Sequence, residues 1–145
     1  ITSIILRPYQ IYGPFQEPNR FISYIILSCI KNKYFPCSSG KQKRDFLYID
    51  DFLELIFKIL KSNKSNGNIF NAGYGKATQL NNIIKYVNKK IKLGKPLYGK
   101  IKLRNEENLV TFPCMKKTRQ VLKWKPKVKL FDGIIKTINF MEGKK

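Results

Sequence analysis

Arginine occurs at Arg7, Arg20, Arg44, Arg104 and Arg119 in a chain whose other basic side chains are all lysine. A guanidinium presents a planar fork of N–H donors that can grip a phosphate or carboxylate through two atoms at once, whereas an ammonium is a point charge. Where lysine already supplies charge, these positions are candidates for geometric recognition of an anion. Arg44 lies in GKQKRDFLYIDD, residues 40–51, between a glycine turn and an apolar run that ends in the adjacent carboxylates Asp50 and Asp51. The chain has no histidine, so a general base would have to be a carboxylate, tyrosine or lysine, and the spacing gathers no such group. Cys29, Cys37 and Cys114 are widely separated and form no CxxC pair, which argues against a zinc site and a disulfide framework alike. No metal is expected.

The elements that must position these side chains follow from patterning. Residues 2–6, TSIIL, read as a buried parallel strand, and RPYQIYGPFQEPNR as a loop broken by Pro8, Gly13, Pro14 and Pro18. Residues 21–33 are apolar on most faces, as in a largely buried helix, and Pro36 is expected to end it. After a strand at FLYI, Phe52, Leu55, Ile56, Ile59 and Leu60 recur at helical spacing, with Asp50 or Asp51 as the N-cap and Glu54 as the capping-box partner of Asp51. Residues 61–68 read as a solvated turn before a short strand, NIFNAG. Thr78 is expected to cap a helix that turns Leu80, Ile83, Ile84 and Val87 inward. GKIKLR, residues 99–104, reads as a strand, MKKTRQVLKW as a short helix and LFDGIIKTINFM as a closing amphipathic one. Strands alternating with helices give an α/β class.

Bulk properties bound the function. The 145 residues, 43% apolar, suffice for one compact domain, and no apolar stretch approaches the roughly 18 residues of a membrane span. A net charge of +20 attracts phosphates, nucleic acid or anionic lipid, but the lysines are spread along the chain and name no partner. A free-standing basic nucleic-acid-binding module is the alternative reading. It lacks support from a helix-turn-helix pattern, an RNP motif or an arginine stripe. The dinucleotide fingerprint GxGxxG, the phosphate loop GxxxxGK[ST] and the nucleophile elbow GxSxG are all missing. Unpaired thiols fit a reducing cytoplasm. The chain opens on Ile1 in mid-strand, without the features of a signal peptide, and is expected to be a fragment of a longer protein.

LRPYQIYGP at residues 6–14 and GKQKRDFLYIDD at residues 40–51 together resemble the extended short-chain dehydrogenase/reductase family of nucleotide-sugar epimerases, dehydratases and reductases, whose second half reads LRxxNxYGPxQ and then GxxxRDFxYVDD. NIFNAGYGKATQLNNII is similar to that family's strand, glycine turn and helix. LRNEE and VLKWKPKVKLFDGIIKTINF are similar to its closing RPGD, LGWxP and LxxGI pattern. The resemblance runs over nearly the whole chain. It implies the carboxyl-terminal part of a Rossmann-type enzyme with its substrate-binding subdomain: residues 1–145 hold the last Rossmann strand, about residues 1–7, and the substrate-binding part, while the amino-terminal cofactor-binding half is absent.

The resemblance also implies NAD or NADP as cofactor, a nucleotide sugar as substrate, and a cytoplasmic, homodimeric parent enzyme in surface-polysaccharide sugar synthesis. Neither nucleic acid nor membrane is then a partner. Catalysis would use a tyrosine of a YxxxK motif placed before Ile1. The one literal match, Tyr86 to Lys90, falls in the third helix, so no catalytic residue is assigned and the chain is expected to be inactive alone. Arg44 matches the family's arginine that reaches the substrate diphosphate, and Arg104 looks like a second clamp on it. Arg7, Pro8 and Tyr9 are implied cofactor contacts at a strand end. Gln10, in place of the family's asparagine, and Asn19, Arg20 and Gln42 are implied substrate contacts. Cys114 stands for a capping aspartate and Lys123 for the glycine of LGW, departures that bear on the stability of the tail.

Overall fold

Strand β4 (Lys43–Tyr48) is where the pairings of the fold converge. It runs parallel to β2 (Gln10–Tyr12), antiparallel to β6 (Ala77–Gln79) and parallel to β8 (Val110–Thr111). In a computed structural model that describes residues 3–62 and 67–143, two further parallel pairs complete the sheets. These are β1 (Ile5–Pro8) with β5 (Ile69–Ala72), and β3 (Tyr34–Pro36) with β7 (Lys95–Leu97). Helices α1 (Phe21–Ile30), α2 (Ile49–Leu60), α3 (Leu80–Ile91), α4 (Lys116–Leu122) and α5 (Leu130–Met141) make the connections, giving the α/β class that the patterning predicts.

Successive side chains on a strand face opposite ways, and β4 uses this to wall two cores. Phe46 and Tyr48 enter a cluster with Tyr12, Ile22, Ile25, Ile26, Ile83, Ile84, Val87 and Ile134. Leu47 enters another, with Leu55, Ile59, Phe70, Met115, Leu122 and Trp124. The helix at residues 21–30 is buried on several faces, as its composition predicts, and α3 turns Ile83, Ile84 and Val87 inward.

Element ends depart from expectation, each for a local reason. The first strand runs over residues 5–8, starting later than the expected 2–6, with residues 3 and 4 outside it and residue 2 outside the described residues; Ile5 is 54% exposed and Ile69 37%, so it is not buried. The loop expected after it contains β2, whose backbone is held by β4. Pro36 does not end α1. That helix stops at Ile30, Asn32 takes a left-handed φ of 48°, and Pro36 belongs to β3. Residues 63–66 of the expected solvated turn lie outside the described residues.

The expected helix caps are also displaced. Tyr48 is the N-cap of α2, which puts Asp50 and Asp51 in its first turn, where negative charge suits the positive end of the helix dipole. Asp51 is buried and accepts N–H bonds from Lys127 (3.0 Å) and Val128 (2.9 Å), tying the approach to α5 onto α2. Glu54 pairs with Lys127 Nζ at 2.7 Å instead of closing a capping box. Thr78 lies in β6 and does not cap α3. The first N–H groups of that helix, on Leu80 and Asn81, donate to the carbonyls of Gln42 and Gly40, both at 2.9 Å. Residues 99–104 form no strand; β7 comes earlier, and Ile101 N–H donates singly to Cys37 O at 3.1 Å.

Candidate functional site

The turn that carries Arg44 is fixed before the side chain is considered. Gly40 has φ +67°, a conformation that costs a side chain little only when there is none, and a Cβ there would come within 2.9 Å of the Asn81 backbone nitrogen. Ser38 Oγ accepts from Gly40 N–H at 3.2 Å and donates to Gln42 Oε1 at 3.2 Å. Gln42 is buried, and its amide nitrogen points to Glu107 Oε1 at 3.4 Å.

Arg44 leaves β4 opposite Thr78 and Thr111. Its Nη1 donates to the carbonyls of Lys43 (3.0 Å) and Leu109 (3.4 Å), which orients the guanidinium. Nη2 donates to Glu107 Oε1 at 2.8 Å, in an ion pair whose side chains are 16% and 27% exposed. Asp45, the next residue, faces away and is fully buried. Its carboxylate accepts from the N–H groups of Tyr74 (2.7 Å), Gly75 (2.6 Å) and Lys76 (2.8 Å). Burial pushes this carboxyl above its ordinary value while the backbone donors pull it down.

Arg44 and Arg104 line one open cavity of about 760 Å³ with Asn105, Glu106 and Glu107. Glu107 is shared with a neighbouring apolar cavity of about 180 Å³, walled by Phe21, Tyr24, Ile84 and Ile101 with Cys37 and Gln42 at its edge. Burial pushes the Cys37 thiol up to about 11, with nearby Cys29 adding to the shift, so this wall carries no thiolate near neutrality. Phe21 is shared in turn with a cleft of about 10 Å³ that brings Gln10 beside Arg20. Arg44, Arg104, Gln42, Gln10 and Arg20 therefore line adjoining cavities, linked through Glu107 and Phe21.

The remaining candidates lie apart. Asn19 is exposed and lines none of these cavities. Arg7 and Pro8 are exposed at the end of β1, and Tyr9 is half-buried, its N–H donating to Ala72 O at 3.0 Å. Tyr86 and Lys90 make no catalytic pair: the Tyr86 ring packs 4.4 Å from that of Phe131, and Lys90 Nζ lies 5.7 Å from the Tyr86 centroid. Sequence reasoning missed Glu107. Its signal was present in LRNEE, three residues after Arg104, but only the fold brings it to Arg44.

The sequence profile of the NAD-dependent epimerase/dehydratase family matches residues 1–73. The chain belongs to this family. Among the relatives of this epimerase/dehydratase chain is a CDP-abequose synthase of Salmonella muenchen, 30% identical over 74% of the chain and 37% of the relative. A UDP-glucuronic acid 4-epimerase from Bacillus cereus, solved with UDP-glucuronic acid and NAD, superposes with a TM-score of 0.87 at 26% identity, over 97% of the chain and 45% of that structure. A UDP-glucose 4-epimerase from Thermotoga maritima, solved with UDP-glucose, shares the fold with a TM-score of 0.89 at 22% identity, over 99% and 47%. The chain thus spans less than half the length of these relatives. Among the described residues, no helix is long and apolar enough to cross a membrane.

Proposed function

We propose that the chain is the substrate-binding part of an NAD- or NADP-dependent nucleotide-sugar epimerase, dehydratase or reductase, working in the cytoplasm on sugars for surface polysaccharides. The observation that carries this reading is that Arg44 and Arg104, from distant segments, line one open cavity that adjoins an apolar one. Two guanidinium groups suit the paired charges of a diphosphate, and an aromatic-walled cavity beside them suits a nucleobase. Gln10 and Arg20 are assigned to the sugar on the family resemblance; the cleft they share, about 10 Å³, is too small to enclose it, so they would meet it from the cleft's rim.

The cofactor fits only at an edge. Arg7, Pro8 and Tyr9 end a parallel pair, a position at which ligands collect in α/β sheets, and they supply one wall and no enclosure. A bound dinucleotide would supply the hydride acceptor. The chain's own residues bind and orient the nucleotide sugar, so by itself it binds without turnover.

Calorimetric titration with UDP, uridine and inorganic pyrophosphate tests the assignment. UDP is expected to bind more tightly than uridine. Arg44→Met is expected to weaken UDP and pyrophosphate about tenfold to a hundredfold, the range for a lost charge-assisted hydrogen bond, and Arg104→Met by a smaller factor because it is more exposed. Equal affinity for uridine and UDP, or no change in the Arg44 variant, would remove the diphosphate site.

A further inference from the structure

We propose that Glu107 is an internal counter-anion that occupies Arg44 when no ligand is bound, and that a diphosphate enters by displacing it. The proposal rests on the diphosphate reading above and adds to it a competition built into the site. Of the atoms on the Arg44 head, Nη1 is held by two backbone carbonyls, so the guanidinium stays in place whatever its other partners do. Nη2 is the atom given to Glu107, and the carboxylate sits 2.8 Å away at the distance a phosphate oxygen would take. Glu107 lines both the arginine cavity and the apolar one, so it stands on the boundary that a nucleotide must cross.

The carboxylate is held in that position, not left to drift. Gln42 Nε2 points at the same oxygen, and Gln42 is itself held by Ser38, whose hydroxyl accepts from Gly40 N–H. Glu106 lines the same cavity and carries the same charge but is exposed. A pair that is partly screened is weak enough for a diphosphate to break, yet it subtracts its own strength from the observed affinity. Gln42, which donates to Glu107 now, keeps a donor in place after displacement.

Titration of the full chain with inorganic pyrophosphate tests this, with Glu107→Gln, Glu106→Gln, Arg44→Met and the Arg44→Met/Glu107→Gln double variant, and with thermal melts to confirm folding. Glu107→Gln is expected to bind pyrophosphate about two- to fivefold more tightly, the loss of one partly exposed ion pair expressed as affinity. Glu106→Gln is expected to gain clearly less, and the gain of Glu107→Gln is expected to vanish when Arg44 is Met. Equal gains at 106 and 107 would mean general repulsion and no displaced partner. Unchanged or weaker binding in Glu107→Gln, with Arg44→Met still impaired, would overturn the counter-anion and leave the diphosphate site standing. Binding indifferent to Arg44 would overturn both.

Discussion

Arg44 and Asp45 are neighbours in sequence with opposite tasks, one turned toward an open cavity and the other sealed inside. Asp45 meets backbone donors 29 to 31 residues away, so its role could not be read from local pattern, whereas Arg44 stood out by residue type and motif. Asp45→Ala leaves three N–H groups unpaired and is expected to cost about 3 kcal/mol or more, measured by urea unfolding. Thiols give a second residue-scale test. Cys114 is exposed while Cys29 and Cys37 are buried, so one thiol is expected to react rapidly with a disulfide reagent and two only on unfolding. Because folding raises the Cys37 thiol from 9.0 to about 11, the stability it contributes is present below pH 9 and lost between about pH 9 and 11. A melting temperature that rises across that window would contradict the assignment.

Among the elements, the amphipathic helices were the most legible, because their apolar spacing is set by the same cores that hold them; α5 spans the predicted residues without change. The caps of α2 and α3 and the strand at residues 99–104 were not. Starts are settled by distant carbonyls and by loops that use the aspartates for other work, as at α3 and Asp51. The alternating apolar residues of 99–104 looked like a strand, yet among the described residues the segment has one backbone bond across to Cys37 O and one local turn bond, Glu107 N–H to Arg104 O, and no ladder. Of the candidate site, the arginines could be found by type, while Glu107 and the apolar wall needed the fold. Lys123 ends α4 at φ 49°, ψ 39°, the left-handed conformation that the family's glycine takes without strain. Lys123→Gly is expected to change stability by about +0.5 to +1 kcal/mol, with the loss of unfolded-state restriction offsetting part of the gain, and thermal unfolding measures it.

At the scale of the whole molecule, two cores share one strand. Phe46 and Tyr48 belong to the first and Leu47 to the second, so neither cluster can open without disturbing the backbone that carries Arg44. Unfolding is therefore expected to be a single transition by both near- and far-ultraviolet dichroism. UDP at about 100 times its dissociation constant is expected to raise stability by roughly 2.7 kcal/mol without splitting that transition. Two separated transitions, only one of them moved by UDP, would show that the cores are independent. The shared strand has one more consequence, readable one amide at a time. Deuterium should enter the amides of β4 last, at the rate of global opening, while exposed β1 labels earlier; ligand should then slow labelling across both cores, far beyond the residues it touches.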